Sequence, residues 1–297
     1  MLLGLFPLGP DTDMTMRAAI IDSVAPILVL LLLGSPAAAQ QLQKHSQLKS
    51  IEQCNGADRI PPQARIAGCT ALIDSGEAKA DALAVAYNNR GNAYTATAEY
   101  DRAIRDFDQA IELASAYAKP MNNRGVAYLR KGAYDDAVKA FDQAIEVNPN
   151  YGGAFANRGE AYLKMNQFER AARDFDEAIR LDPNSSLAWS GRCWIRAILG
   201  DLQAGLDDCN RAIQSGPENA ATYDSRALIH LKMSQLAAAI DDYNSALRVE
   251  PRLASALYGR GLAKLRQGDK AGGNSDISAA RIIEAKVADD FARHGVQ

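Results

Sequence analysis

Three stretches separated by a step of 34 residues decide the fold: Tyr87-Asn88-Asn89-Arg90-Gly91, Met121-Asn122-Asn123-Arg124-Gly125 and Phe155-Ala156-Asn157-Arg158-Gly159. The arginine keeps the same step through Arg192, Arg226 and Arg260. A fixed period of this length marks a stack of small units rather than one continuous core. Counting each unit from 1 to 34 gives six of them: 84–117, 118–151, 152–185, 186–219, 220–253 and 254–287.

Position 4 is always large and apolar: Tyr87, Met121, Phe155, Trp189, Tyr223 and Leu257. Position 8 is always small: Gly91, Gly125, Gly159, Cys193, Ala227 and Gly261. Position 20 is Ala or Gly, and position 27 is Ala in every unit, from Ala110 to Ala280. Apolar residues at 4, 8 and 11, then at 20, 24 and 27, follow helical spacing in each half of the unit. Gly200 and Gly268 fall at position 15, between the halves, where the chain must turn. Pro149, Pro183, Pro217 and Pro251 stand at position 32 and cannot continue a helix. Each unit therefore reads as two antiparallel helices, A and B, brought close by the small residues. One such hairpin cannot bury its own apolar face, so neighbours must stack on it.

An aromatic at 4, Gly at 8, Tyr at 11, Ala at 20, an aromatic at 24, Ala at 27 and Pro at 32 resembles the tetratricopeptide repeat. The resemblance covers 84–287 and is strongest to exported bacterial proteins built almost wholly of such repeats. It implies an all-α solenoid of helical hairpins, wound as a right-handed superhelix, with A helices lining a concave groove. It also implies protein or peptide partners and no cofactor. The sixth unit is degenerate, with Lys264, Ile277 and Lys286 at positions 11, 24 and 33. That suits a terminal capping repeat, its second helix running on toward Phe291 and His294 with Gly295 as a stop. Residues 288–297 then form a C-terminal cap or tail. Ahead of the array, 40–83 reads as a leader and capping region: 40–50 polar and mobile, and Pro62 to Asp74 a helix covering the first repeat.

The first 39 residues read as a signal peptide outside the fold. Arg17 precedes a short apolar run, Val24 to Leu33, and a small-residue site, with cleavage expected after Ala39. The run is shorter than the roughly 20 apolar residues of a spanning helix, so no membrane span is expected after cleavage. Residues before Met14 fit the pattern poorly, and Met14 and Met16 are alternative starts. Export to the periplasm or the medium would place four cysteines in an oxidising compartment. In a hairpin turning near position 16, facing positions sum to about 32, so Cys193 at 8 faces Cys209 at 24. Cys54 and Cys69 then pair by elimination, although two other connectivities stay formally open. Each such loop contributes on the order of 3 kcal/mol.

The net charge of −3 offers no basic surplus for a phosphate backbone, so nucleic acid is not an expected partner. No P-loop, GxSxG or HExxH pattern occurs, and His45, His230 and His294 lie far apart, so an enzyme is not expected. No cysteine pair has metal-site spacing. Arg at position 7 pairs on paper with Asp at 23 across the hairpin. Repeat 2 has Ala140 there, which singles out Arg124 as the arginine lacking that partner. In the family, position 6 points into the groove, and here it carries Asn89, Asn123 and Asn157. Asn88, Asn92 and Asn122 stand beside them. The resemblance implies that such a row holds the backbone of an extended peptide, since each amide both donates and accepts. The charged clamp that family members use for C-terminal carboxylates is missing. Trp194 at position 9 is a further candidate anchor. The expected role is a non-catalytic scaffold binding protein or peptide segments. The alternative is an accessory subunit of an envelope assembly or export machine, and self-association remains open.

Overall fold

The computed structural model describes residues 36–56 and 59–296, and among these all regular structure is helical. The signal-like segment up to Ser35 lies outside the described residues, as does Gln297. The chain divides into two units, 1–79 and 80–297.

The first unit is a helical hairpin, α1 (Pro36–Asn55) and α2 (Pro62–Asp74). Helix α2 has the bounds expected from sequence. Helix α1 corrects the reading of 40–50 as a mobile leader, and it also runs through the expected cleavage point at Ala39. Two features hold the hairpin together. Cys54 and Cys69 form a disulfide, with Cα atoms 4.6 Å apart. The helices cross so closely at Gly68 that a methyl group there would lie 2.6 Å from the Gln53 side chain and 2.9 Å from the Ser50 carbonyl oxygen.

The second unit is the array. Its A and B helices alternate as α3 (Ala80–Ala96) and α4 (Tyr100–Leu113), α5 (Ala118–Lys131) and α6 (Tyr134–Val147), α7 (Gly152–Lys164) and α8 (Phe168–Leu181). They continue as α9 (Ser186–Leu199) and α10 (Leu202–Ser215), α11 (Ala220–Lys232) and α12 (Leu236–Val249), α13 (Ala254–Gln267) and α14 (Lys270–Ile283). A short helix, α15 (Val287–Arg293), follows. Position 15 takes the left-handed conformation in every repeat: Ala98, Gly132, Asn166, Gly200, Ser234 and Gly268. This residue turns the chain between A and B.

Within a repeat, the aromatic at position 24 lies on the small residue at position 8. Phe107, Phe141 and Phe175 are fully buried. A methyl group at Gly91 would come within 2.6 Å of the Phe107 ring. Repeat 4 replaces this contact with a covalent one: Cys193 and Cys209 hold positions 8 and 24 and form a disulfide, Cα to Cα 5.3 Å. Alanine at position 27 is buried in all six repeats, which lets each hairpin seat against the next.

The sixth repeat ends differently from expectation. Helix α14 stops at Ile283 because Glu284 is extended, with φ −141° and ψ 103°. The chain then re-enters as α15 and stops at Gly295, with φ +79°. The stop is where sequence places it, but the helix before it is a separate element.

Candidate protein-binding groove

Successive A helices pack against one another, while successive B helices make no comparable contact. The A side is therefore the shorter, inner side of the stack. In repeat 4, positions 2, 5, 6 and 9 of the A helix (Leu187, Ser190, Gly191 and Trp194) line a cavity.

In the first three repeats this surface is knitted by asparagines. Asn157 donates to Asn122 (2.9 Å), Asn122 to Asn123 (3.3 Å), Asn123 to Asn88 (2.9 Å) and Asn88 to Asn89 (3.3 Å). The chain of amides runs through repeats 3, 2 and 1. Asn88 and Asn122, only 1% and 6% exposed, are turned into the packing between repeats. This corrects their reading as peptide-contacting residues, because their amides are already spent on neighbours. Asn89, Asn123 and Asn157 remain half-buried, each with part of its bonding capacity used. Asn92 is half-buried and stands outside this amide chain.

The arginines at position 7 form a second network. Arg158 binds Asp174 in its own B helix through Nε and Nη2, at 2.8 and 2.7 Å, and Asp142 in the previous repeat through Nη1. Arg192 repeats the pattern with Asp208 and Asp176, Arg226 with Asp242 and Asn210, and Arg260 with Asp276 and Asn244. Arg124, which lacks the position 23 aspartate, is bonded all the same, to Asp108 of repeat 1 and to Gln143. Only its Nε, where Ala140 replaces aspartate, lacks a hydrogen-bond partner. The Arg90, Arg158, Arg192 and Arg226 guanidiniums also sit over the position 4 rings of their repeats, Arg192 at 4.8 Å from the Trp189 centroid. The aspartates hold the Arg158 and Arg226 guanidiniums above their ordinary pKa, against the burial that opposes it. The network is structural and removes the arginines from the list of free ligand-binding groups.

The open part of the inner face lies further along. A cavity of about 390 Å³ opens between repeats 3 and 5, bordered by Glu160, Leu163, Leu187, Trp194 and Asp224. Trp194, half-buried, is shared with a second pocket of about 200 Å³. Asp224 also borders both. Its Oδ2 accepts from the Ser255 hydroxyl at 2.8 Å, but Oδ1 is closed off from solvent with no partner, as is the Tyr243 hydroxyl. Burial, opposed by the Ser255 bond and helped by Glu250, pushes the Asp224 carboxyl up to about 7. The second pocket is walled on its far side by α15. Phe291 rests on Tyr258 with ring centroids 4.9 Å apart, and the His294 ring meets Trp194 edge-on at 5.0 Å. Sequence singled out Trp194 as a large side chain at a groove position. Asp224 carried no signal there, since an isolated aspartate on a helix reads as solvated.

Comparison with known proteins agrees with this architecture. The tetratricopeptide repeat model matches residues 84–117, 118–151 and 153–185, and a TPR repeat model matches 228–268. Among solved structures, a chain of the APC/C hetero-tetramer Cut9-Hcn1 is similar at 15% identity and a TM-score of 0.66, over 82% of this chain and 50% of that one. A tetratricopeptide repeat protein from Parabacteroides merdae is similar at 19% identity and 0.61, over 86% and 99%. Pseudomonas aeruginosa pilF is similar at 13% identity and 0.59, over 76% and 98%. The chain thus spans half the length of the first of these and nearly all of the other two. No curated protein matches it. The stretch the repeat models skip includes repeat 4, where the Cys193–Cys209 pair replaces Gly and Phe; the three matches before it coincide with the hairpins of repeats 1 to 3, and the match after it runs from within α11 to the end of α13: the chain belongs to the tetratricopeptide repeat family.

Proposed function

We propose that the array is a non-catalytic scaffold that holds protein or peptide segments along its inner face, with the site centred on Trp194. One observation carries this: the cavity of about 390 Å³ bordered by Leu163, Leu187 and Trp194, beside a carboxylate that lacks a full set of partners. A concave, largely apolar surface with a few polar groups is the common form of a recognition site. A ring set in its wall is the usual kind of anchor. The half-buried Asn89, Asn123 and Asn157 extend the same face toward the N-terminal repeats as further contacts for a peptide backbone. Export to the periplasm or medium is part of the proposal. The two disulfides support it, being at home in an oxidising compartment, and no described helix is long and apolar enough to cross a membrane.

The test is affinity capture from an envelope extract with three baits: the wild-type chain, Trp194→Ala, and Asn89→Ala with Asn123→Ala and Asn157→Ala. A partner lost with Trp194→Ala supports the site. A partner kept by all three baits moves binding to the outer face and overturns it.

A second reading, an accessory subunit of a larger assembly or of a self-associated array, is favoured by the open end of the stack. Ile282 on α14 is 84% exposed. Light scattering of the purified chain decides self-association, and a monomer at high concentration counts against it.

A further inference from the structure

Residues 287–296 do not behave as a lid for the last repeat. A terminal cap covers the apolar outer face of the final helix, yet Ile282 stays 84% exposed and Ile283 37% exposed. The segment instead turns back along the inner face. Val287, Phe291 and Val296 are 1%, 5% and 4% exposed. Phe291 lies on Tyr258 of repeat 6, and His294 reaches Trp194, two repeats earlier. Beneath it Leu228, at groove position 9, is only 3% exposed, whereas Asn92, Val126 and Glu160 at the same position are half-buried. The segment is short, joined to α14 by residues 284–286, and it shares the Trp194 wall with the open cavity next door. It occupies the place of a ligand.

We propose that residues 287–296 are a tethered ligand of the groove, and that the groove of repeats 4 to 6 takes a partner segment of the same chemistry, which must displace it. That partner is a short helix presenting an apolar side chain, an aromatic ring four residues on and a histidine ring three residues further, as Val287, Phe291 and His294 do. Spacings of four and seven place all three on one helix face. The tether lowers the apparent affinity of any such partner by the fraction of molecules in which the segment is released. The proposal rests on the groove reading above and names its ligand class.

The probe is a fluorescein-labelled peptide with the sequence of residues 286–296, titrated by anisotropy into the full chain. In a chain carrying Phe291→Ala and His294→Ala the tethered segment is weakened, and the probe should bind roughly tenfold or more tightly than to the wild type. Adding Trp194→Ala to that variant should remove the gain. Circular dichroism checks that each variant keeps its helices. A second measurement needs no variant: in an isotope-labelled wild-type chain, saturating unlabelled probe should speed amide exchange of 287–296 by roughly tenfold, with the repeats unchanged. Equal affinity for the wild-type and double-variant chains, or unchanged exchange under saturating probe, overturns the tethered-ligand proposal. That result leaves the groove reading to the capture experiment, where loss of a partner with Trp194→Ala would still support it.

Discussion

At position 23, in every repeat but the second, an aspartate receives two bonds from the arginine of its own repeat; in repeats 4 and 6 a second cation joins them, and in repeat 5 a histidine stands in that place. Arg196, His230 and Lys264 stand at position 11, where the first three repeats have Tyr94, Tyr128 and Tyr162. Arg196 reaches Asp208 at 2.7 Å, Lys264 reaches Asp276 at 2.9 Å, and His230 lies 3.6 Å from Asp242. In repeats 4 and 6 a long cation replaces the tyrosine because the buried carboxylate repays its charge. Burial alone would raise the Asp276 carboxyl, but the bonds from Arg260 and Lys264 outweigh it and hold it below its ordinary value. Asp224 is the opposite case, with no cation beside it and its folded value raised to about 7 from 3.8. Such a group favours the folded state below its unfolded value, and the benefit is lost as pH rises through the folded one. Asp224→Asn keeps an acceptor for Ser255 without the charge. It should raise the unfolding temperature by a few degrees at pH 8 and leave it nearly unchanged at pH 4. Thermal unfolding of both chains across that range checks the sign, and an equal shift at both ends would refute it.

At the scale of elements, the turn between A and B asks the same thing of six different residues. Ala98 and Ser234 adopt φ 60° without being glycine. The left-handed region costs an L-residue about 1–2 kcal/mol, only partly offset by the greater freedom glycine loses on folding. Ala98→Gly should therefore stabilise the chain by about 0.5–1 kcal/mol, read as a higher urea midpoint. The hairpin of repeat 4 offers another test. Replacing Cys193 and Cys209 with alanine should cost about 3 kcal/mol, and a reductant should then leave that midpoint less affected than the wild type's. The alternation of A and B helices was legible because the 34-residue period repeats the same spacing of apolar and small residues six times. Helix α1 was not legible: it is rich in Gln, Lys and Ser with only Leu42, Leu48 and Ile51 as large aliphatic residues, and what fixes it is the Cys54–Cys69 bond and the close crossing at Gly68, both long-range. The break before α15 was missed for a related reason. Only the three residues 284–286, the first of them extended, separate it from α14, and no glycine or proline marks the spot.

Across the whole molecule, repeats couple to nearest neighbours, so damage should stay local. At Gly125 a larger side chain would run into the Phe141 ring. Gly125→Leu should destabilise repeat 2 by about 1–3 kcal/mol. Hydrogen exchange should quicken in α5, α6 and their neighbours while repeats 5 and 6 keep their protection, and a uniform loss would contradict nearest-neighbour coupling. The candidate site was legible in part. Trp194 stood out as a large ring at position 9, and it borders the open cavity while also packing against His294. The asparagine row was misread in part because bonds between Asn88, Asn122 and their neighbours join residues 35 apart, which a single repeat does not display.

The arginine network has a direction. From Arg124 onward, each guanidinium reaches into the repeat that precedes it, to Asp108, Asp142, Asp176, Asn210 and Asn244 in turn. A ribosome delivers the chain amino end first, so every new hairpin leaves the exit tunnel with its docking carboxylate or amide already laid down. The stack can thus lengthen by one hairpin at a time without waiting for anything still to be synthesised.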